Sequence, residues 1–214
     1  CFAGEYSASG QPTRRHSEWR AVGDFTDVDR MVQDAHDGQV DLYFGVCAAD
    51  KDRVRRAWEA EEQRTAASER RDVRPFPGSH IVRGREAAVT AVPAVWADLD
   101  ICDGVAPKSE KYATRVELLK ALEALPPSIL VSTGGGYHAY WMLDDPWVIR
   151  TVADRADASK MTKAFQERLA GHVLRLTRKT IDRTGNLARV LRVPGSLNCK
   201  YGSTVEIVRL DMRR

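Results

Sequence analysis

Thiols are few and scattered in this chain. Cys1, Cys47, Cys102 and Cys199 include no CxxC pair, so the usual spacing of a structural zinc site is missing and no disulfide framework is expected. Lone thiols suit a reducing compartment, and a cytoplasmic protein is expected. Long apolar runs are missing too. None nears the roughly 20 residues that span a bilayer, and the opening CFAGEYSASGQPTRRH lacks the apolar centre of a signal peptide. No membrane is therefore expected among the partners. No GxxxxGK[ST] occurs, which excludes a P-loop ATPase. None of the five histidines stands two residues from another, which disfavours the His-hydrophobic-His metal site of a rolling-circle nuclease. No Ser-His-Asp or Cys-His set suggests covalent catalysis. A chain that opens on Cys1 rather than Met reads as a piece of a longer protein.

What remains is an ordinary globular composition: 214 residues, 43% hydrophobic and 29% charged. That suffices for one sizeable core, or a core with a smaller lobe. The net charge of +3 is unevenly spread. Residues 1–149 carry 18 Lys/Arg against 24 Asp/Glu (−6), and residues 150–214 carry 15 against 6 (+9). A basic final third suits contact with phosphates.

The first 24 residues are small and polar with no hydrophobic period, and read as a flexible segment. Residues 25–214 then read as one domain with two lobes. A helix is expected over Phe25–His36, capped by Thr26 or Asp27 and followed by Gly38. DLYFGVCA, Asp41–Ala48, reads as a buried strand. Asp50–Arg74 reads as a solvated helix or a mobile insertion, its arginines a wet face rather than a DNA contact. Pro75, Pro77, Gly78 and Gly84 mark loops. Further strands are expected over Ala91–Ile101, Ile129–Val131, Tyr137–Leu143, Ala188–Val193 and Thr204–Leu210. Helices are expected over Thr114–Ala124, stopped by Pro126 and Pro127, and over Ala158–Leu176. Frequent hairpins among mixed elements favour an α+β fold.

Three stretches carry chemistry. In WADLDI, Asp98 and Asp100 are two apart on a strand and share one face with Trp96; Val95, Ala97, Leu99 and Ile101 take the other. Two carboxylates on one buried face repel each other, and a hard divalent cation, Mg²⁺ or Mn²⁺, would relieve the cost. A strand end at which both acids are wet is the alternative. In STGGGYHAYWML, Gly134, Gly135 and Gly136 free the backbone to form an anion-binding nest, and His138 follows at the start of a strand. A glycine turn with a satisfied core histidine is the alternative there. In TIDRTGNLARVLRVPGSLNCK, Asp182 is a lone acid before Arg189, Arg192, Asn198 and Lys200, which surround the Pro194-Gly195 turn. Arginine forks and a lysine point charge suit phosphate oxygens, although a surface salt-bridge cluster would look similar. Strand alternation puts Arg189 and Arg192 on opposite faces. That leaves Arg192 as the better-placed phosphate ligand and one of the two structural.

Taken together, the order and spacing of these stretches resemble the archaeo-eukaryotic primase superfamily, specifically the primase-polymerase domains of phage and plasmid replication proteins. The resemblance runs from about Asp41 to Lys200 and includes YFGV, GREAAV and RVPGSLN. It implies an RRM-like catalytic sheet with an N-terminal α/β lobe. It implies metal-dependent nucleotidyl transfer on a single-stranded DNA template and primer, making or extending primers from nucleoside triphosphates. Asp98, Asp100 and Asp182 would hold Mg²⁺ or Mn²⁺. Gly135, Gly136, His138, Arg189, Arg192, Asn198 and Lys200 would receive the nucleotide, with His138 counted among the catalytic set. One departure is Gly136, which stands where the family's small hydroxyl two residues before the histidine would be. A helicase domain or partner is also expected, since the chain carries no motor of its own. The rival from another class is a non-catalytic module that binds an origin or single-stranded DNA.

Overall fold

The computed structural model describes residues 27–78, 84–105 and 108–211, together with the backbone of two strands at residues 2–6 and 12–17. Those strands, β1 (Phe2–Tyr6) and β2 (Pro12–Ser17), pair antiparallel. β1 also pairs with β3 (Asp41–Gly45). Part of the segment that reads as flexible in the sequence is thus paired as strands. Neither strand has an apolar alternation, and it is backbone pairing onto β3 that organises them; the rest of residues 1–24 lies outside the described residues. Helix α1 (Val28–Asp37) follows, with Asp27 at its N-cap and Gly38 at its C-cap. After β3 come β4 (Ala48–Ala49) and helix α2 (Lys51–Glu69), whose N-cap Asp50 accepts a bond from Arg53 N at 2.8 Å.

The stretch after Asp50 is thus a helix. It buries Val54 against Ala88, with Trp58, Ala49 and Phe76 packed around them. Arg71 and Arg74 both bind buried Glu62, and Arg55 binds Glu59 at 2.9 Å.

The second half builds a five-stranded sheet from β5 (Val89–Asp100), β6 (Ile129–Ser132), β7 (Gly136–Val148), β11 (Glu206–Leu210) and β4, in the order β11-β6-β7-β5-β4. Helix α3 (Arg115–Glu123) joins β5 to β6, and α4 (Val152–Thr177) follows β7. Both helices start on capping boxes, Thr114 with Glu117 and Thr151 with Asp154, which satisfy the free N–H groups of a first turn. Short strands β8 (Val190–Arg192), β9 (Leu197–Asn198) and β10 (Ser203–Thr204) precede β11. The fold is α+β, with an RRM-like β-α-β-β-α-β succession from β5 to β11 and an N-terminal lobe whose sheet runs β2-β1-β3-β8.

Strand β5 divides the core in two. Val95, Ala97, Leu99 and Ile101 pack with Leu118, Leu122, Leu169 and Val173 of α3 and α4. Val92, Ala94 and Trp96 face the other way, toward Val46, Leu187 and Leu191 beside the smaller sheet. The period of two fixes this split, and it sends Asp98 and Asp100 toward the second lobe. No helix among the described residues is long and apolar enough to cross a membrane.

Candidate active site

Register builds the site. Asp98 lies directly opposite His138 of β7, and Asp100 directly opposite Gly136. Opposed residues in an antiparallel pair project to the same face. Asp98, Asp100 and His138 therefore share the face that looks toward β3 and β8. His138 Nε2 stands 3.6 Å from Asp98 Oδ1, and Arg189, two residues past Leu187 of the core, binds Asp98 Oδ2 at 2.5 Å. The site thus draws groups from both lobes.

Asp182 arrives by a different route. It sits in the connection from α4 to β8, which is clamped on both sides. Gln166 accepts from Thr184 N and donates to the Trp96 carbonyl, each at 2.6 Å, and Trp96 Nε1 donates to the Thr184 carbonyl at 3.1 Å. Thr180 forms a parallel bridge with Tyr112. The Tyr112 hydroxyl then donates to Asp182 Oδ2 at 3.0 Å, and Lys111 Nζ lies 3.7 Å from Asp182 Oδ1.

Each acid is therefore met by a cation: Asp98 by Arg189, Asp182 by Lys111, and Asp100 by Lys108 in an ion pair with both side chains about three-quarters buried. The balance still falls short at Asp100. Burial raises its pKa above the ordinary carboxylate range; Lys108 pulls it back, and the charges of Asp98 and Asp182 push it up again. Burial is also the main influence on His138, pushing its pKa down to about 4 against the pull of Asp98 and with the help of Arg192, Arg189 and Lys108. The imidazole is neutral at pH 7, and its Nδ1 is buried with no partner among the described residues. The same holds for Tyr140 Oη, Arg189 Nε and Asn198 Oδ1. Burial first, and then Asp98, raises the Tyr140 pKa.

Other residues expected at the site have other duties. Arg192 forms a forked ion pair with buried Asp41, its guanidinium 4.8 Å from the Tyr43 ring centre. Asp41 also accepts from Cys199 N at 3.0 Å. This ion pair arises because β8 runs beside β3 in a register that sets Arg192 opposite Tyr43. Gly134 has a φ of 81°. A Cβ on Gly135 would lie 2.2 Å from the Tyr201 ring, and one on Gly136 would lie 2.1 Å from the Leu99 carbonyl oxygen. These glycines admit the protein's own ring and backbone, a packing requirement that explains them without a ligand. Asn198 is buried and donates to the Thr133 carbonyl at 2.6 Å, whereas Lys200 is exposed, 5.1 Å from the Tyr201 ring centre.

Sequence reasoning missed Lys108, Lys111, Tyr112 and Asp41. Only the polar run PKSEKY after β5 hinted at the first three. Among the described residues no three His, Cys, Asp or Glu side chains stand ready as a metal cage. The donor set nevertheless fits a hard divalent ion. It consists of carboxylate oxygens, the donor type such ions prefer.

Among solved structures, the chain is similar to the AEP domain of the primase-polymerase of cyanophage S-2L. The TM-score is 0.58 and the identity 16%, over 99% of this chain and 81% of that one. No protein-family profile matches the sequence, and no curated protein matches it either. The similarity extends over both lobes and establishes a shared fold.

Proposed function

We propose that this chain is a DNA primase-polymerase, a nucleotidyltransferase that makes or extends primers on single-stranded DNA in the replication of a phage, plasmid or other mobile element. The observation that carries the reading is the placement of Asp98 and Asp100 on one face of β5 beside buried His138, with the charge of Asp182 also acting on Asp100, on a fold shared with the AEP domain of a primase-polymerase. Asp98, Asp100 and Asp182 would hold Mg²⁺ or Mn²⁺. When bound, such ions supply charge stabilisation to the attacking and leaving oxygens of an in-line displacement.

The chain's own residues would then do the following. The 3′-hydroxyl of a primer attacks the α-phosphorus of a nucleoside triphosphate and loses its proton to solvent; a P–O bond forms as the bond to the bridging oxygen breaks and pyrophosphate leaves. No side chain acts as nucleophile. Arg189 offers a guanidinium fork beside Asp98, suited to phosphate oxygens. Neutral His138 donates one N–H, and its low pKa keeps it from repelling a metal. Lys111 and Lys200, both cationic and outside the buried core, suit the template or primer backbone. Gly135 and Gly136 shape the wall beside Asp100. Strand separation would fall to a helicase domain or partner.

The test is incorporation of labelled nucleotides on single-stranded DNA, with and without a primer. Template-dependent products that require Mg²⁺ or Mn²⁺ and vanish with a chelator are expected. DNA binding without incorporation under every metal and nucleotide condition would instead establish a non-catalytic module.

A further inference from the structure

Lys108 stands where a hard cation would be wanted. It lies in the segment between β5 and α3, and its ammonium pairs with Asp100 Oδ1. The segment is pinned on both sides of it. Val105 N donates to the Gly134 carbonyl at 3.0 Å, Asp103 accepts from Arg115 N at 2.7 Å, and Tyr112 N donates to the Ser109 carbonyl at 3.1 Å. The charge of Asp98 also acts on the lysine. It is thus an ammonium held among the carboxylates on one face of β5.

We propose that Lys108 is a resident counter-ion that holds Asp100 until a divalent cation takes over, and that the freed ammonium then serves the phosphates of the incoming nucleotide. The inference rests on the nucleotidyltransferase reading above. Residue chemistry supports the exchange. A lysine ammonium is a compact point charge on a flexible four-carbon stem, able to change partners without moving the backbone. Arg189 is the contrast: its N–H donates to the Asn186 carbonyl and its carbonyl accepts from Val46 N, both at 3.1 Å, so its fork is set by a fixed backbone. A divalent ion on Asp100 repels a neighbouring ammonium and attracts the carboxylate more strongly than a single positive charge does, which favours withdrawal of Lys108 when the ion binds. It keeps its charge as it does so, and a triphosphate is the anion that arrives with the ion. Order of binding follows: metal occupancy raises nucleotide affinity, and by linkage nucleotide raises metal affinity.

The experiment is a Mn²⁺ titration without nucleotide, reading free Mn²⁺ by electron paramagnetic resonance, on the wild type, K108M and K108R. Removing the internal competitor should tighten Mn²⁺ binding about tenfold in K108M, while K108R stays near the wild type. At saturating Mn²⁺, a fluorescent nucleoside triphosphate should bind K108M more weakly than the wild type. Equal or weaker Mn²⁺ binding by K108M overturns the counter-ion role alone. Unchanged triphosphate affinity overturns the coupling. Failure of both proteins to bind Mn²⁺ overturns the metal reading and this proposal with it. Circular dichroism of the metal-free proteins checks folding, and K108Q replaces K108M if the latter does not fold.

Discussion

Few side chains in the molecule are as constrained as His138. It is buried, it faces Asp98 at 3.6 Å, and three cations lower its proton affinity. Its pKa of about 4 lies below the ordinary value of 6.5. The unfolded chain therefore binds a proton on this residue at a pH where the folded one does not. Between pH 6.5 and about 4, stability must rise with pH: it is fully present above 6.5 and lost as pH falls through that window. The loss attributable to this group is at most roughly 3 kcal/mol. Metal-free wild-type protein should thus unfold at progressively lower urea as pH drops from 6.5 to 4, and His138→Asn should flatten that dependence. Parallel urea midpoints for both proteins across the window would contradict the assignment. The acids beside the histidine were legible because two independent signals coincide in WADLDI: an apolar alternation that makes a strand and a charge pattern that violates it. Lys108 was not legible, because no period relates a loop residue to the strand it folds against.

Pairing between elements explains what became of Arg192. Strand β8 docks on β3, and the Asp41–Arg192 pair fastens the two strands from inside. Removing one partner from a buried ion pair leaves the other charge unpaired, at a cost of about 3–5 kcal/mol. Arg192→Ala should therefore lower the urea midpoint markedly. An unchanged midpoint would contradict a structural role for the pair. Sequence alone could not decide this, because Asp41 is an unremarkable acid at the head of an apolar run and its partner lies 151 residues away. Local signals served better for the helices. Apolar periods, with the stop at Pro126 and Pro127, predicted α3 to within a residue at each end and the C-terminal end of α4 likewise, although α4 begins six residues before the expected Ala158. Strands β1 and β2 offered no such signal, being polar and organised by pairing alone.

Across the whole molecule, two sheets meet with the acids between them and the excess positive charge in the last third of the chain. Residues 150–214 carry +9, so association with single-stranded DNA should be largely ionic. Its affinity should fall with salt by a log-log slope of about −0.7 per phosphate contacted. Tight binding that ignores salt would contradict a backbone-tracking surface and favour specific base contacts. The central claim is narrower: the carboxylates gathered by β5 and the connection after α4 perform nucleotidyl transfer. The most direct test compares nucleotide incorporation on primed single-stranded DNA by the wild type and by Asp100→Asn, both checked for a native fold. The variant should lose at least about a hundredfold in rate, the scale set by removing several kcal/mol of charge stabilisation, while keeping its affinity for DNA. Incorporation at the wild-type rate by folded Asp100→Asn would show that the chemistry lies elsewhere.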